Sequence, residues 1–304
     1  MRLVTTAPAK VNLVLRVGPL RPDGYHDLST LMVPLDLGDA VEVRVGAGKG
    51  PVTCSVARHP ELDGPANLAA RAATAFRDRF GIARAIAIRI EKRTPITAGL
   101  GGGSSDAAAV LRCLARAFSV RDAATLAELG LAVGSDVPFF LGPGPAWAAG
   151  RGERLRPAQV PPLHLVLLYP RDPALAIRAA DAYRWLDADR RDSPVPPLPR
   201  PARWRATLLG NDLQPPCVRR HPALDRSLEQ LTGAGATATL MSGSGPTVFG
   251  LFANRAVARR AAKALGAAAG PDLEVHLART VTRQPGVSRW RSPRSASTRS
   301  TRRS

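Results

Sequence analysis

Apolar and polar residues alternate along residues 10–17 and again along residues 41–45, the two-residue period of a strand with one buried face. Ile86, Ile88 and Ile90 share one face of a further strand over residues 84–92. Between them Leu68, Ala69, Ala72, Ala73 and Phe76 recur at helical spacing and predict a helix over residues 66–80. A breaker-rich loop follows from Thr94 to Gly103, and Ser104, Ser105 and Asp106 are placed to cap an Ala- and Leu-rich helix running to about Phe118. The pattern then predicts a helix near 122–132, a tight loop at 142–145, a buried strand over 163–169 and a helix over 174–187. Five prolines among arginines make residues 190–205 an exposed, semi-extended connection. Helix, strand, strand, helix and strand fill roughly 219–281. Residues 283–304 are Arg/Ser-rich, with almost no apolar content, and are expected to be disordered. Hairpin-like strands mixed with helices point to a two-lobed α+β protein rather than a doubly wound sheet.

Composition sharpens this picture in three ways. A chain of 304 residues fits about two domains, and with 5% aromatics its core must be filled by Ala, Val and Leu. No apolar run approaches the roughly 20 residues that span a bilayer, and the first residues lack a signal-peptide stretch, so a cytoplasmic protein is expected. Cys54, Cys113 and Cys217 are odd in number and in no CxxC pair, which predicts free thiols rather than a disulfide framework or a zinc site. The net charge of +19 attracts polyanions, and nucleotides and nucleic acids both qualify.

The strongest chemical signal is Gly99-Leu100-Gly101-Gly102-Gly103-Ser104-Ser105-Asp106. Four glycines in five residues let backbone N–H groups close around an anion, and the helix that follows points its positive end into the same space. No Gly-Lys-Ser/Thr follows, so this is not a P-loop, and the spacing excludes a dinucleotide-binding turn. His-Arg-Asp and Asp-Phe-Gly are both missing, so it is not a protein-kinase glycine loop. Lys10, inside an apolar strand, is either at a strand edge or facing a site. Asp136, in Gly134-Ser135-Asp136-Val137-Pro138, is a helix cap or a base, and the two are not exclusive.

The run from Pro95 to Ala109 resembles the nucleotide loop of the GHMP kinases. Four more segments agree in the family's order: Pro8 to Leu13, Arg21 to Leu28, Gly134 to Phe140 and Met241 to Phe249, with Gly210-Asn211-Asp212-Leu213 also fitting. The resemblance runs from about Pro8 to about Thr282. Asp23-Gly24-Tyr25-His26 narrows it to the branch whose acceptor is a CDP-linked methylerythritol, phosphorylated by ATP at its 2-hydroxyl on the non-mevalonate route to isoprenoid precursors. The implied fold has an N-terminal ATP lobe over residues 1–155 and a ferredoxin-like C-terminal lobe over residues 156–282.

Residue by residue, the resemblance implies that Lys10 and Asp136 are catalytic. Asp136 would act as general base and Lys10 would stabilise charge. Pro95, Ile96, Thr97, Ala98, Gly99, Leu100, Gly101, Gly102, Gly103, Ser104 and Ser105 would hold ATP, with Asn67 and Leu68 at the adenine. Tyr25 and Tyr183 would sandwich the cytosine, His26 would hydrogen-bond it, and Asn12 would touch the acceptor. Mg²⁺ would accompany ATP. Ser105 and Asp106 are candidate contributors, and no dedicated protein metal site is assigned. Asp-Gly-Tyr-His argues against homoserine or mevalonate as acceptor. A nucleic-acid-binding protein is the rival from another class. The densest arginine cluster lies beyond the last family motif, so nucleic acid is expected only as a nonspecific ligand of the tail.

Overall fold

The computed structural model describes residues 1–191, 195, 197–199 and 202–290. Twelve strands and eight α-helices are defined among them, in two sheets. The chain begins with two long antiparallel strands, β1 (Arg2–Leu20) and β2 (His26–Lys49), followed by β3 (Val52–Ala57), α1 (Leu68–Phe80) and β4 (Arg84–Glu91). Then come α2 (Gly102–Phe118), α3 (Ala123–Val133), the short α4 (Val137–Leu141), β5 (Ala146–Gly150) and β6 (Arg154–Pro157). The C-terminal half holds β7 (His164–Pro170), α5 (Ala179–Asp189), β8 (Gly210–Asn211), α6 (Gln214–Arg220), α7 (Pro222–Gly233), β9 (Ala238–Met241), β10 (Val248–Phe252), α8 (Arg255–Ala268), β11 (Leu273–Arg279) and β12 (Ser288–Arg289).

The larger sheet runs β12-β1-β2-β4-β3, with β5 on β2, β6 on β5 and β8 parallel to β1. The smaller one runs β11-β7-β10-β9. One apolar cluster packs α1, α2 and α4 against the larger sheet. Ala107, Ala108 and Ala109 let α2 approach closely, which is how so few aromatics suffice. A second cluster joins the two sheets through Ala9, Val11, Leu13, Leu165, Leu167 and Phe249. Side chains alternate along a strand. Sending Ala9, Val11 and Leu13 into that cluster therefore turns Lys10 and Asn12 to the other face. Register shifts between Pro8 and Lys10 and between Asn12 and Val14 bracket the two polar residues. Such irregularities re-aim side chains beside sites.

Two expectations need correction. Helix α2 starts at Gly102 behind an uncapped Gly101 (φ +70°), not at a Ser or Asp cap. The tail is not structureless from Arg283 onward. Ser288 and Arg289 pair with Val4 and Leu3, the Gly286 carbonyl accepts from Thr5, and Trp290 lies under the Arg2 guanidinium, 3.7 Å from ring centre. A two-stranded edge and one cation–π contact outweigh a composition read one residue at a time. Residues 291–304 lie outside the described residues. We expect a chain ending at Trp290 to be more stable than one ending at Thr282 by roughly 1–3 kcal/mol, since the longer one keeps the strand that covers the β1 edge. Urea unfolding of the two truncations measures this, and equal stabilities would contradict it.

Candidate active site

Two cavities meet at the glycine loop. One, of about 440 Å³, is lined by Asn67, Leu68, Lys92, the loop from Pro95 to Gly99, Gly101 to Ser104, and Asp106. The other, of about 630 Å³, holds Lys10, Asn12, Tyr25, His26, Asp136 and Tyr183 among its walls. Gly99 and Gly101 border both.

The first cavity is bordered by backbone donors that an anion can use. The N-terminal turn of α2 has free N–H groups, and no side chain caps them. The missing Ser cap therefore leaves these donors for a ligand, and the helix dipole adds to them. Gly99 (φ +74°) must be glycine, because a Cβ there would lie 2.4 Å from the Ser242 carbonyl oxygen. Ser242 Oγ donates to the Gly99 carbonyl at 3.0 Å, so the C-terminal glycine motif braces the loop from behind. Asn67 caps α1 by accepting from Ala69 N–H, and its Nδ2 donates to the Leu62 carbonyl, so its first role here is to fix the cavity wall.

Lys92 was not singled out from sequence. At the end of an apolar strand it carries no pattern to mark it. In the structure its side chain, 8% exposed, lies between Asp39 (2.5 Å) and Asp106 (2.9 Å), and Lys92 and Asp106 border the cavity. Burial works against its charge, but Asp106 and Asp39 outweigh burial and raise its pKa above the ordinary lysine value. Burial, with Asp39 nearby, pushes the Asp106 carboxyl up to about 8 against the pull of Lys92. Asp106 Oδ1 and Ser105 Oγ are buried and have no hydrogen-bond partner in the described structure.

In the second cavity Lys10 is 5% exposed. Its backbone N–H donates to Leu100, tying β1 to the glycine loop. Its Nζ donates to Asn12 Oδ1 at 2.7 Å and lies 3.8 Å from Asp136 Oδ2. Burial lowers its pKa, and the charge of Asp136 opposes that in part. Asn12 passes the chain on, donating to Thr30, which donates to the Val14 carbonyl. Asp136 stands at the start of α4, yet its side chain makes no capping bond. The carboxylate is left to face Lys10 and the cavity.

The aromatic wall holds the three expected rings, Tyr25, His26 and Tyr183. Tyr183 stacks on His26, with centroids 5.4 Å apart and planes 15° apart, rather than pairing with Tyr25. The face of Tyr25 is covered by Arg151, 3.5 Å from ring centre. The Gly18 carbonyl can only accept, so the His26 Nδ1 carries the proton of that 2.8 Å bond, while Nε2 lies 3.2 Å from Asp187. Burial raises the Tyr183 pKa, and the nearby Asp136 charge adds to it. Arg151 and Asp187 were missed, because neither stands in a recognisable motif. Cys54, Cys113 and Cys217 are free and buried.

Among the described residues no helix is long and apolar enough to cross a membrane. The family models for the GHMP kinases N terminal domain and the GHMP kinases C terminal match residues 67–144 and 200–272. A 4-diphosphocytidyl-2-C-methyl-D-erythritol kinase of Anaeromyxobacter dehalogenans (strain 2CP-C) is 72% identical, over 100% of this chain and 99% of its own length. A relative of the same name from Deinococcus radiodurans is 43% identical, over 85% of this chain and 87% of its own. A crystal structure of a 4-(cytidine 5'-diphospho)-2C-methyl-D-erythritol kinase superposes with a TM-score of 0.74 at 34% identity, covering 91% of this chain and 98% of that one. The homoserine kinase of Cytophaga hutchinsonii has a TM-score of 0.69 at 18% identity, over 94% of this chain and 96% of that one, and shares the fold.

Proposed function

The chain belongs to the GHMP kinases, among the 4-diphosphocytidyl-2-C-methyl-D-erythritol kinases, and from that premise we propose how its two cavities divide one phosphoryl transfer. It is a small-molecule kinase that uses ATP. The acceptor in this reading is 4-diphosphocytidyl-2-C-methyl-D-erythritol, phosphorylated at the 2-hydroxyl, a step towards isoprenoid precursors. The observation that carries the reading is the meeting of the two cavities at Gly99 and Gly101. The uncapped helix start lies on one side, and the pair of buried Lys10 and half-buried Asp136 lies on the other.

Asp136 accepts the proton of the 2-hydroxyl as that oxygen bonds to the terminal phosphorus and the bond to the ADP oxygen breaks. Lys10 holds the charge that develops on the acceptor oxygen. Its burial makes that interaction stronger than it would be in water. The loop from Pro95 to Ser105 and the start of α2 hold the phosphates, and Asn67 and Leu68 border the base. Asn12 orients Lys10 and reaches the acceptor, while Tyr25, His26 and Tyr183 form the wall for the cytosine. Of the two candidate donors, Asp106 borders the first cavity with Oδ1 left without a partner, while Ser105 is buried away from it; Mg²⁺ would sit beside Asp106 and would supply charge neutralisation at the phosphates. The units of the reading are residues 1–155 for ATP and 156–282 for the second lobe.

The test is a coupled phosphorylation assay over a panel of hydroxyl acceptors, with the product mapped by phosphorus NMR. The CDP-linked acceptor should be consumed with phosphate on its 2-hydroxyl. Turnover confined to homoserine or mevalonate would overturn the reading.

A further inference from the structure

Gly210-Asn211-Asp212-Leu213 has no part in the scheme above, yet it sits behind the active site. Asn211 is 5% exposed, and each hydrogen-bonding atom of its side-chain amide is engaged. Its Nδ2 donates to the carbonyls of Met241 at 2.8 Å and Gly243 at 2.7 Å, and its Oδ1 accepts from Leu213 N–H at 2.9 Å. The platform beneath it is rigid. β8 pairs with β1 at Leu15↔Asn211, and Asp212 N–H donates to the Leu15 carbonyl. The Asp212 carboxylate receives Arg16, Arg190 and the Val17 N–H. Asn211 is thus fixed to the strand that carries Lys10.

Gly243 (φ +57°) lies against the reacting groups. A Cβ there would be 3.2 Å from the Gly99 carbonyl oxygen and 3.3 Å from Lys10 Nζ. A trans peptide carries its C=O and N–H on opposite sides. Asn211 holds the Gly243 carbonyl from outside the cavity, while Gly243 and Ser244 line it. The N–H of Ser244 is thereby turned the other way, towards the cavity. Among the described residues that N–H has no hydrogen-bond partner. Ser244 is half-buried at the cavity wall, so this donor is free to meet a ligand.

We infer that Asn211 is a positioning residue: it holds the Gly243–Ser244 peptide so that the Ser244 N–H donates to an oxygen of the phosphoryl group in transfer. The inference rests on the phosphoryl-transfer reading above. It adds a fixed backbone donor, supplied by the C-terminal glycine motif, to those of the loop after Gly99. Such preorganised donors act most where charge develops.

Asn211→Asp keeps the shape and the bond from Leu213 but has no donor for the two carbonyls, and Asn211→Ala removes all three bonds. Both should lose roughly 10² in kcat, the usual effect of one displaced oxyanion donor. The affinities for a non-hydrolysable ATP analogue and for the CDP-linked acceptor, measured by calorimetry, should stay close to wild type. Near-normal kcat in either folded variant would overturn the inference, as would loss of nucleotide affinity in step with kcat. If neither variant folds, amide hydrogen exchange on the wild-type enzyme decides. The Ser244 N–H should gain protection when ADP, aluminium fluoride and the CDP-linked acceptor bind together as a mimic of the transferring phosphoryl group, and unchanged exchange there would refute the clamp. A wild-type enzyme that phosphorylates no CDP-linked acceptor would sink the activity reading instead, and the exchange measurement would still judge Asn211.

Discussion

Asp136→Asn should lower kcat by roughly 10² to 10⁴, the usual range for a general acid–base group, with little change in KM for ATP or acceptor. The structure makes the test clean. Asp136 makes no capping bond at the start of α4, so the amide forfeits no helix stability there. Lys10→Met keeps the stem and removes the charge, and should also act mainly on kcat. Both groups would work on one oxygen, so the double variant should lose much less than the product of the single losses. A pH signature follows from the lysine. Burial lowers its pKa and Asp136 partly opposes this. Removing the Asp136 charge lets the ammonium lose its proton at lower pH. The alkaline limb of the residual activity in Asp136→Asn should therefore move towards acid. Near-normal turnover in that variant would leave the mechanism without its base.

The second large effect concerns the acceptor. The CDP-linked substrate should be used far better than the same polyol without its cytidine, because contacts at the remote base orient the reacting hydroxyl. Equal kcat/KM for the two acceptors would refute this. Tyr25→Ala should weaken acceptor binding and leave ATP affinity near normal, since Tyr25 lines the cavity of Lys10 and Asp136 and not that of Asn67 and Leu68. Loss of ATP affinity with intact acceptor binding would contradict the assignment. Base–aromatic stacking of this kind is worth about 1–3 kcal/mol, so the weakening should be roughly 5- to 150-fold. Stacking on the Tyr25 face that Arg151 covers would displace the guanidinium, and part of the stacking energy would then offset the lost cation–π contact.

Local periodicity was sufficient for most elements. The isoleucine strand at 84–91, the helices α1 and α2, and the buried strand at 164–170 depend on residues a few positions apart, and all were legible. The glycine loop was legible for the same reason, since backbone freedom and the following helix are both local properties. The long β2 was read only in its 41–45 stretch. Its residues 29–35 are all buried, so no alternation marks them. The helix expected from about 219 is α7, while α6 (Gln214–Arg220), which ends just before Pro222, was not read from the pattern. Pro222 has no N–H to continue α6.

Residue types and their order alone determined the glycine-rich loop before α2, the α+β class and the family. What the tertiary structure decided is which residues meet. Asp136 carries the same cap signal whether or not it caps, and only the packing of α4 shows its carboxylate facing Lys10, 126 positions away in the chain, at 3.8 Å. Lys92 becomes a buried ion only because Asp39 and Asp106 converge on it from β2 and α2. Tyr183 finds His26 rather than Tyr25 because α5 is anchored at its end by Arg190 to Asp212 and the Val17 carbonyl. Charges and rings act over a few ångströms of space, and a linear pattern records distance only along the chain.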